Sequence, residues 1–472
     1  MQQNSNERSL DVLILAAGLG TRMKSGKAKV LHHLGGRALI SHVARAALVL
    51  APRKIFVVVG HQASEVEQTV RLDVPEHLAA FVLQSKQLGT GDAVMAAKAE
   101  LANARSTVLV LSGDVPLIKP ETLSNLVRSH HSTGATCSLL SVRMENPFGY
   151  GRILRNEAGA FSGIVEQKDA IAEQLQIREI NVGIYCFQSN KLFGALTQVR
   201  PANQQGEYYL TDVPALLQAE GEPINVFSHD DSREVSGINT RAELAEFENL
   251  LRRATIRKLL VESGVTFIDP SHAYVSADAE IGRDCIIYPD VIIEGQCVIG
   301  EGCVIRSGTR ITNSRLGANV VVKDYSIIVD SEVEANCTIG PFAHLRLNAR
   351  LGERSSVGNF VEIKKSTLGK GSKAMHLAYL GDCTIGENTN IGAGTITCNY
   401  DGQRKHATII EDNVRIGSDT MLVAPVRVGS RSVTGAGSVV TRDVPPDSLV
   451  VGVPAKIRKH LAERKDEKEG QP

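Results

Sequence analysis

An aliphatic residue returns every six positions through most of the second half of this chain. Val275, Ile281, Ile287, Ile293, Ile299, Ile305 and Ile311 form one run, and Val333, Ile339, Leu345, Leu351, Val357 and Ile363 form a second. Ile410, Ile416, Leu422, Val428 and Val440 form a third, with Thr434 in the expected slot. Glycine often follows, as at Gly282, Gly300, Gly340, Gly358, Gly417 and Gly435. A period of six is neither the 3.6 of a helix nor the 2 of a strand. It is the signature of a parallel β-helix, in which each hexapeptide is one short strand plus a corner. The aliphatic side chain points inward, and neighbouring coils bury one another. The composition suits such a fold, with 42 Gly, no Trp and 4% aromatic residues. Cys285, Cys297, Cys303 and Cys337 fall at one phase of the repeat, and none of the eight Cys forms Cys-x-x-Cys. They read as small buried or turn-lining residues, and that usage favours a reducing cytosol.

The repeat does not reach back before about residue 264. From Asp11 to about Phe227, β-rich runs (Val12–Ala16, Ile55–Val59, Val108–Leu111) alternate with helix-like stretches such as Leu39–Leu50 and Ala93–Ala102. That alternation predicts a Rossmann-like α/β domain with a mostly parallel sheet, binding its ligand at the carboxyl ends of the strands. Residues 240–263 have apolar positions at helical spacing and no Gly or Pro, which predicts one connecting helix stopped by Gly264. The expected organisation is therefore 11–239, a linker helix 240–263, a repeat domain 264–460 and a disordered tail 461–472. The repeat breaks at 397–409, which predicts a loop projecting from the prism. Lys plus Arg and Asp plus Glu both number 52, so no bulk attraction to nucleic acid or anionic membrane is expected. No apolar run reaches the ~18 residues of a membrane span, and Leu13–Ala17 reads as a strand and not a signal peptide.

Two clusters look chemical. Leu15-Ala16-Ala17-Gly18-Leu19-Gly20-Thr21-Arg22-Met23 follows a strand, where glycines let backbone N–H groups approach phosphates. Arg22 and Lys29 add positive charge there, and Ser112-Gly113-Asp114 ends another strand with a carboxylate placed to hold Mg²⁺. Asn239 offers a second oxygen. In the repeat, His376 is a candidate general base, since imidazole is poised near neutral pH.

The motifs just quoted are accompanied by Lys29-Val30-Leu31-His32, Gln87-Leu88-Gly89-Thr90-Gly91, Gly149-Tyr150-Gly151-Arg152-Ile153, Val165–Ala170 and Glu179-Ile180-Asn181. Together they resemble the sugar-phosphate nucleotidyltransferases. With Gly358–Lys365, Ala374–Tyr379, Asn390–Thr395 and Cys398–Gly402, residues 11 to 455 resemble a bacterial bifunctional family. Its members are both N-acetylglucosamine-1-phosphate uridyltransferases and glucosamine-1-phosphate acetyltransferases. The resemblance implies a left-handed β-helix and a homotrimer with acetyltransferase sites at subunit interfaces. It also implies Mg²⁺, UTP and acetyl-CoA, small-molecule partners only, and a cytoplasmic setting. By the same resemblance, Leu15, Ala16, Ala17, Gly18, Lys29, Gln84, Gly89 and Thr90 would meet the nucleotide, with Ser112 and Gly113 beside them. Gly151, Glu166 and Asn181 would meet the sugar, and Asp114 and Asn239 the metal. Arg346, Lys364 and Lys405 would face the phosphate of glucosamine-1-phosphate, while Tyr379 and Asn390 would hold its sugar. Ala393, Asn399, Tyr400, Ser418 and Ala436 would lie along acetyl-CoA.

The chain departs from that family at Ala28 (usually Pro), Asp92 (usually His), Val182 (usually Thr) and Ser112 (commonly Tyr). Asp92 is expected to bring negative charge near the nucleotide. Near Gly452 the chain lacks the family's CoA-contacting Arg, so Lys456 or Arg458 would have to serve. The alternative is a single-activity nucleotidyltransferase with a regulatory β-helix; the His376 constellation and the 397–409 loop argue against it. A γ-class carbonic anhydrase needs three zinc-binding His, and the repeats hold only His344, His376 and His406 in unrelated settings.

Overall fold

The computed structural model describes residues 9–104 and 106–460. The tail expected at 461–472 lies outside them. The chain divides between Glu248 and Asn249 into two compact units.

The first unit is built on a nine-stranded sheet. In chain order its strands are β1 (Leu10–Leu15), β2 (Lys54–Val59), β3 (Ala79–Leu83), β4 (Thr107–Ser112) and β5 (Cys137–Arg143). They continue with β6 (Gly151–Arg155), β7 (Phe161–Val165), β8 (Glu179–Gln188) and β9 (Ile224–His229). The spatial order is β9-β5-β8-β4-β1-β2-β3, with the β6–β7 hairpin paired to β8. The pairs β1–β2, β1–β4, β2–β3 and β5–β9 are parallel, which explains the near-continuous apolar runs. Val12 and Ile14 enter one core and Leu13 the other, so both faces of β1 are covered. Register places Leu15 beside Val58 and Ser112, so the carboxyl ends of three strands open side by side. Strand β8 runs antiparallel to both β4 and β5, which qualifies the mostly parallel sheet. A bulge between Asn181 and Tyr185 re-aims its start. The helix expected over Ala93–Ala102 is two pieces, Thr90–Met95 and Lys98–Leu101, because Ala97 leaves helical angles at φ −88° and ψ 6°.

The linker is one helix, Arg241–Val261. A reciprocal cap opens it: Glu243 N donates to Thr240 Oγ1 at 3.2 Å, and Thr240 N donates back to Glu243 Oε2 at 2.9 Å. Gly264 follows in the left-handed region at φ 67°.

The second unit is the left-handed parallel β-helix, with three sheets of eight, ten and nine strands. Coils stack in register, as in Ile287↔Ile305, Ile305↔Val322, Val322↔Ile339 and Ile339↔Val357. Every residue of the six-step pattern named above is buried. Each such side chain contributes about 1.5–3 kcal/mol when taken out of water. The repeat cysteines are buried free thiols. Cys285, Cys303 and Cys337 each donate at 3.1 Å to a carbonyl of the next coil, on Gly300, Gly317 and Gly352. Corners take positive φ, and Asp284, Asn319, Asn336, Asn388 and Asn413 suit that region. Tyr325, Phe342 and Phe360 occupy such corners on successive coils and stack with centroids 5.4 and 5.3 Å apart. Among the described residues, no helix is long and apolar enough to cross a membrane.

His130 is fully enclosed in the first unit and bonds Ser138 Oγ through Nδ1 at 3.0 Å. Burial, with the neighbouring His131, lowers its pKa to about 4. The unfolded chain, near 6.5, then takes up a proton that the folded chain refuses. This contribution to stability is complete above about pH 6.5 and is lost as pH falls toward 4, by up to about 3 kcal/mol. Urea unfolding at pH 7 and pH 4.5 should show a smaller acid loss in His130→Gln than in the parent. Equal losses would remove His130 from the account.

Candidate active sites

The first site forms where β1 and β4 end. Gly20, at φ 61°, packs on Lys29 so closely that an added Cβ would lie 2.6 Å from Lys29 Cβ. The turn therefore sets the lysine. Lys29 Nζ forms an ion pair with Asp114 Oδ2 and donates to Asn239 Oδ1 at 3.1 Å. Arg22 Nη2 donates to the same Asn239 oxygen at 2.8 Å. Ile238 N donates to the Asp114 carbonyl at 2.9 Å, and Asn239 N to Glu243 Oε2 at 2.6 Å. The helix cap thus holds Asn239 beside Asp114. Two oxygen donors already converge on one cation, which is the chemistry a hard divalent metal needs.

Gln84 is buried beside this turn. Its Nε2 donates to Gly89 O at 3.2 Å and to Asp92 Oδ2 at 2.7 Å. Both acceptors face the amide nitrogen, so the amide oxygen is turned the other way. Asp92 therefore engages the amide of Gln84, one of the residues expected to meet the nucleotide. Gly91 N donates to Tyr208 O at 2.7 Å, and Thr90 Oγ1 accepts from Leu210 N at 3.0 Å. At Gly89 an added Cβ would lie 2.5 Å from Tyr208 O, so this turn requires glycine. Ala28 keeps proline-like angles, φ −55° and ψ 139°. Its N–H donates to Gln62 Oε1 at 2.6 Å, a bond proline could not make.

Gly151 and Asn181 are register partners, and a Cβ on Gly151 would stand 3.4 Å from Glu166 Oε1. The three expected sugar residues are thus together. Asn181 Nδ2 donates to Tyr185 Oη at 2.7 Å, across the bulge, and Val182 is buried. Glu166 lines a cavity of about 570 Å³ with Asp169, Thr211 and Asp212. Burial, with these neighbouring carboxylates, raises its pKa above the usual carboxylate value. Leu15 and Gly113 are joined by a backbone bond of 3.0 Å, and Gly18 has open space around its Cα. Ser112 ends β4 next to Leu15.

The second site lies on the prism. His376 ends the strand Lys373–His376 and sits in register with Asn359, one coil earlier. His376 Nδ1 bonds Asn359 Oδ1 at 2.7 Å. An amide oxygen only accepts, so Nδ1 carries the proton and Nε2 keeps its lone pair. Asn359 was not singled out from sequence; its signal is the 17-residue offset, one coil, from His376. Arg346↔Lys364 and Glu362↔Tyr379 are register pairs, which bring Arg346, Lys364 and Tyr379 to one face. Arg346 is held by Glu362 at 2.8 and 2.6 Å. Lys405 reaches back to Lys364, whose ammonium lowers its pKa. Tyr379 lies over Gly381 beside the Asn399 amide, and any Cβ at Gly381 would strike its hydroxyl.

Asn390 is exposed on the coil after Lys373. Ala393, Ser418 and Ala436 follow the stacked glycines Gly392, Gly417 and Gly435, so they form one column of corners. The loop after Cys398 is a small hairpin in which Tyr400 bridges Lys405. Lys456 and Arg458 lie exposed on the strand Ala455–His460.

Residues 12–178 match the MobA-like NTP transferase domain, and residues 278–313 and 407–442 match the bacterial transferase hexapeptide model. A bifunctional protein GlmU of Syntrophomonas wolfei is 49% identical over 94% of this chain and 97% of its own. One from Heliobacterium modesticaldum is 49% identical over 93% of this chain and 94% of its own. One from Streptococcus thermophilus is 44% identical over 95% and 96%. Among solved structures, a UDP-glucose pyrophosphorylase complexed with UDP-glucose aligns with 52% of this chain and 99% of its own. It is 18% identical with a TM-score of 0.43, too low to bear on function.

Restoring proline at residue 28 should not help this protein. Ala28→Pro removes the donor to Gln62 and should cost about 1 kcal/mol, visible as a lower denaturant midpoint. A higher midpoint would mean that the Gln62 bond contributes nothing.

Proposed function

Because the chain belongs to the family of bifunctional GlmU proteins, we infer that it makes UDP-N-acetylglucosamine by two successive transfers. The observation that carries this is the presence in one chain of both constellations, Lys29–Asp114–Asn239 and His376–Asn359. Acetyl transfer comes first. The amine of glucosamine-1-phosphate attacks the thioester carbonyl of acetyl-CoA, forming the C–N bond and breaking the C–S bond. His376 Nε2 takes the proton from the nitrogen and returns it to the departing thiolate. Asn359 keeps the imidazole in the tautomer that makes this possible. Arg346, Lys364 and Lys405 hold the doubly charged phosphate, and Tyr379 and Asn390 hold the sugar. Ala393, Asn399, Tyr400, Ser418 and Ala436 line the path of acetyl-CoA.

Uridylyl transfer follows. A phosphate oxygen of N-acetylglucosamine-1-phosphate attacks the α-phosphorus of UTP, and pyrophosphate leaves. Lys29 and Arg22 exchange Asp114 and Asn239 for phosphate oxygens and stabilise the charge that gathers there. Gln84 holds its amide nitrogen on Gly89 and Asp92, so its amide oxygen faces away from them, where it can accept the N3–H of uracil. Gly151, Glu166 and Asn181 meet the sugar. Asp114 and Asn239 would hold Mg²⁺, which when bound neutralises the triphosphate. The buried free thiols support a cytoplasmic setting. The exposed ladder Tyr325–Phe342–Phe360 supports self-association as a homotrimer, to be counted by sedimentation equilibrium.

Purified protein given glucosamine-1-phosphate, acetyl-CoA, UTP and Mg²⁺ should release both CoA thiol and pyrophosphate. Asp114→Asn or a chelator should stop pyrophosphate release alone. His376→Ala should stop thiol release alone. Thiol release that never occurs, while N-acetylglucosamine-1-phosphate still yields pyrophosphate, would leave a single-activity nucleotidyltransferase. Asn359→Ala should lower the acetyl-transfer kcat by about tenfold, because the imidazole loses its tautomeric lock. An unchanged kcat would show that His376 needs no orientation.

A further inference from the structure

Asp382 has no part in either transfer as described above, yet it lies at the crossing of both acetyltransferase subsites. It occupies a corner at φ 49°, directly after Tyr379–Gly381, and its side chain is only 12% exposed. Its Oδ2 accepts from Asn399 Nδ2 at 2.6 Å and lies 3.7 Å from Lys364 Nζ. Its Oδ1 lies 3.8 Å from Lys365 Nζ. Its backbone N–H donates to Lys364 O at 3.0 Å, and its carbonyl accepts from Thr408 N at 3.2 Å. Lys364 belongs to the preceding coil, while Asn399 and Thr408 are the two roots of the loop that projects from the prism.

That loop is tied within itself. Asn399 O accepts from His406 N at 2.8 Å, and His406 Nε2 bonds Asp401 Oδ2 at 2.7 Å. Asp401 Oδ1 accepts from the backbone N–H groups of Gln403 and Arg404, both at 2.7 Å. The loop is therefore braced as one unit on its roots, with Tyr400 and Lys405 bridged within it. Asp382 holds both roots, Thr408 through its backbone carbonyl and Asn399 through its carboxylate, and the same carboxylate oxygen faces the Lys364 ammonium.

We propose that Asp382 is a positioning residue that ties the phosphate-facing lysines to the acetyl-CoA-facing loop, so that both subsites are set together. This rests on the assignment of Lys364 and Lys405 to the sugar phosphate and of Asn399 and Tyr400 to acetyl-CoA. Asp382→Asn suits the test, because Asn tolerates the left-handed corner and keeps the size while losing the charge. It should raise KM for glucosamine-1-phosphate and KM for acetyl-CoA together, each by about three- to tenfold, with a smaller change in kcat. Pyrophosphate release from UTP and N-acetylglucosamine-1-phosphate should stay unchanged in the same preparation.

Asn399→Ala, which cuts the same link from the loop side, should also raise KM for glucosamine-1-phosphate. The double variant should then be less than additive. A rise in only one KM for Asp382→Asn would overturn the proposal. So would a fall in KM for the sugar phosphate, which would make Asp382 a competing counter-ion. A loss confined to kcat with a lowered thermal midpoint would also overturn it, leaving a purely structural role. Lys405→Ala separates the underlying assignment. If it leaves KM for glucosamine-1-phosphate unchanged, the subsite reading itself fails, and Asp382 falls with it.

Discussion

Coils of the second unit bond to one another through their strand backbones. Ile286 N reaches Cys303 O at 2.9 Å, Val304 N reaches Val320 O at 3.0 Å and Val321 N reaches Cys337 O at 2.9 Å. A few corner donors close within a coil, such as Ser372 N on Gly369 O, but the strand donors just named depend on a neighbouring coil. The fold exists only as a stack. This constraint makes the site possible, because residues one coil apart are brought side by side at a fixed height. Asn359 and His376 meet for that reason, as do Arg346, Lys364 and Gly381.

The two sites proposed to take phosphate share one electrostatic device on unrelated folds. In the first, Lys29 is paired with Asp114; in the second, Lys364 is paired with Asp382. A lysine held by a carboxylate loses less freedom when a phosphate arrives than one swinging in solvent. The carboxylate also compensates like charges that would otherwise repel, such as Lys364 and Lys405. The difference lies in rigidity. Asp114 is fixed through Ile238 to a capped helix, whereas Asp382 is fixed at a corner of the stack.

Much of this was legible in the chain itself. The six-step repeat identified the prism because the inward position recurs strictly, and Val275 through Val440 are buried as that period demands. The linker helix was legible from Thr240 and Glu243 at its start and Gly264 after it. The site residues came through motif resemblance, and the structure brings Lys29, Asp114 and Asn239 together. What stayed hidden depends on pairing between distant segments. Nothing local says that β8 runs antiparallel between β4 and β5, since its apolar run reads like any other. The Asp92–Gln84 bond needs a turn at Gly89 that folds the chain back on itself. Asn359, at a strand end, and Asp382, at a corner, look like ordinary polar residues until the coils are stacked.

The same stacking bears on how a protein of this shape can change over time. One residue added within a strand would move every later aliphatic position off the inward face, and the error would not be absorbed by the next coil. A length change at a corner leaves the register intact. The stretch between Cys398 and Thr408 is such a place: nine residues separate two strands that still fall into line with their neighbours. Lineages of this architecture should therefore vary by replacement along the faces and by growth at the vertices, and new chemistry should enter at the vertices.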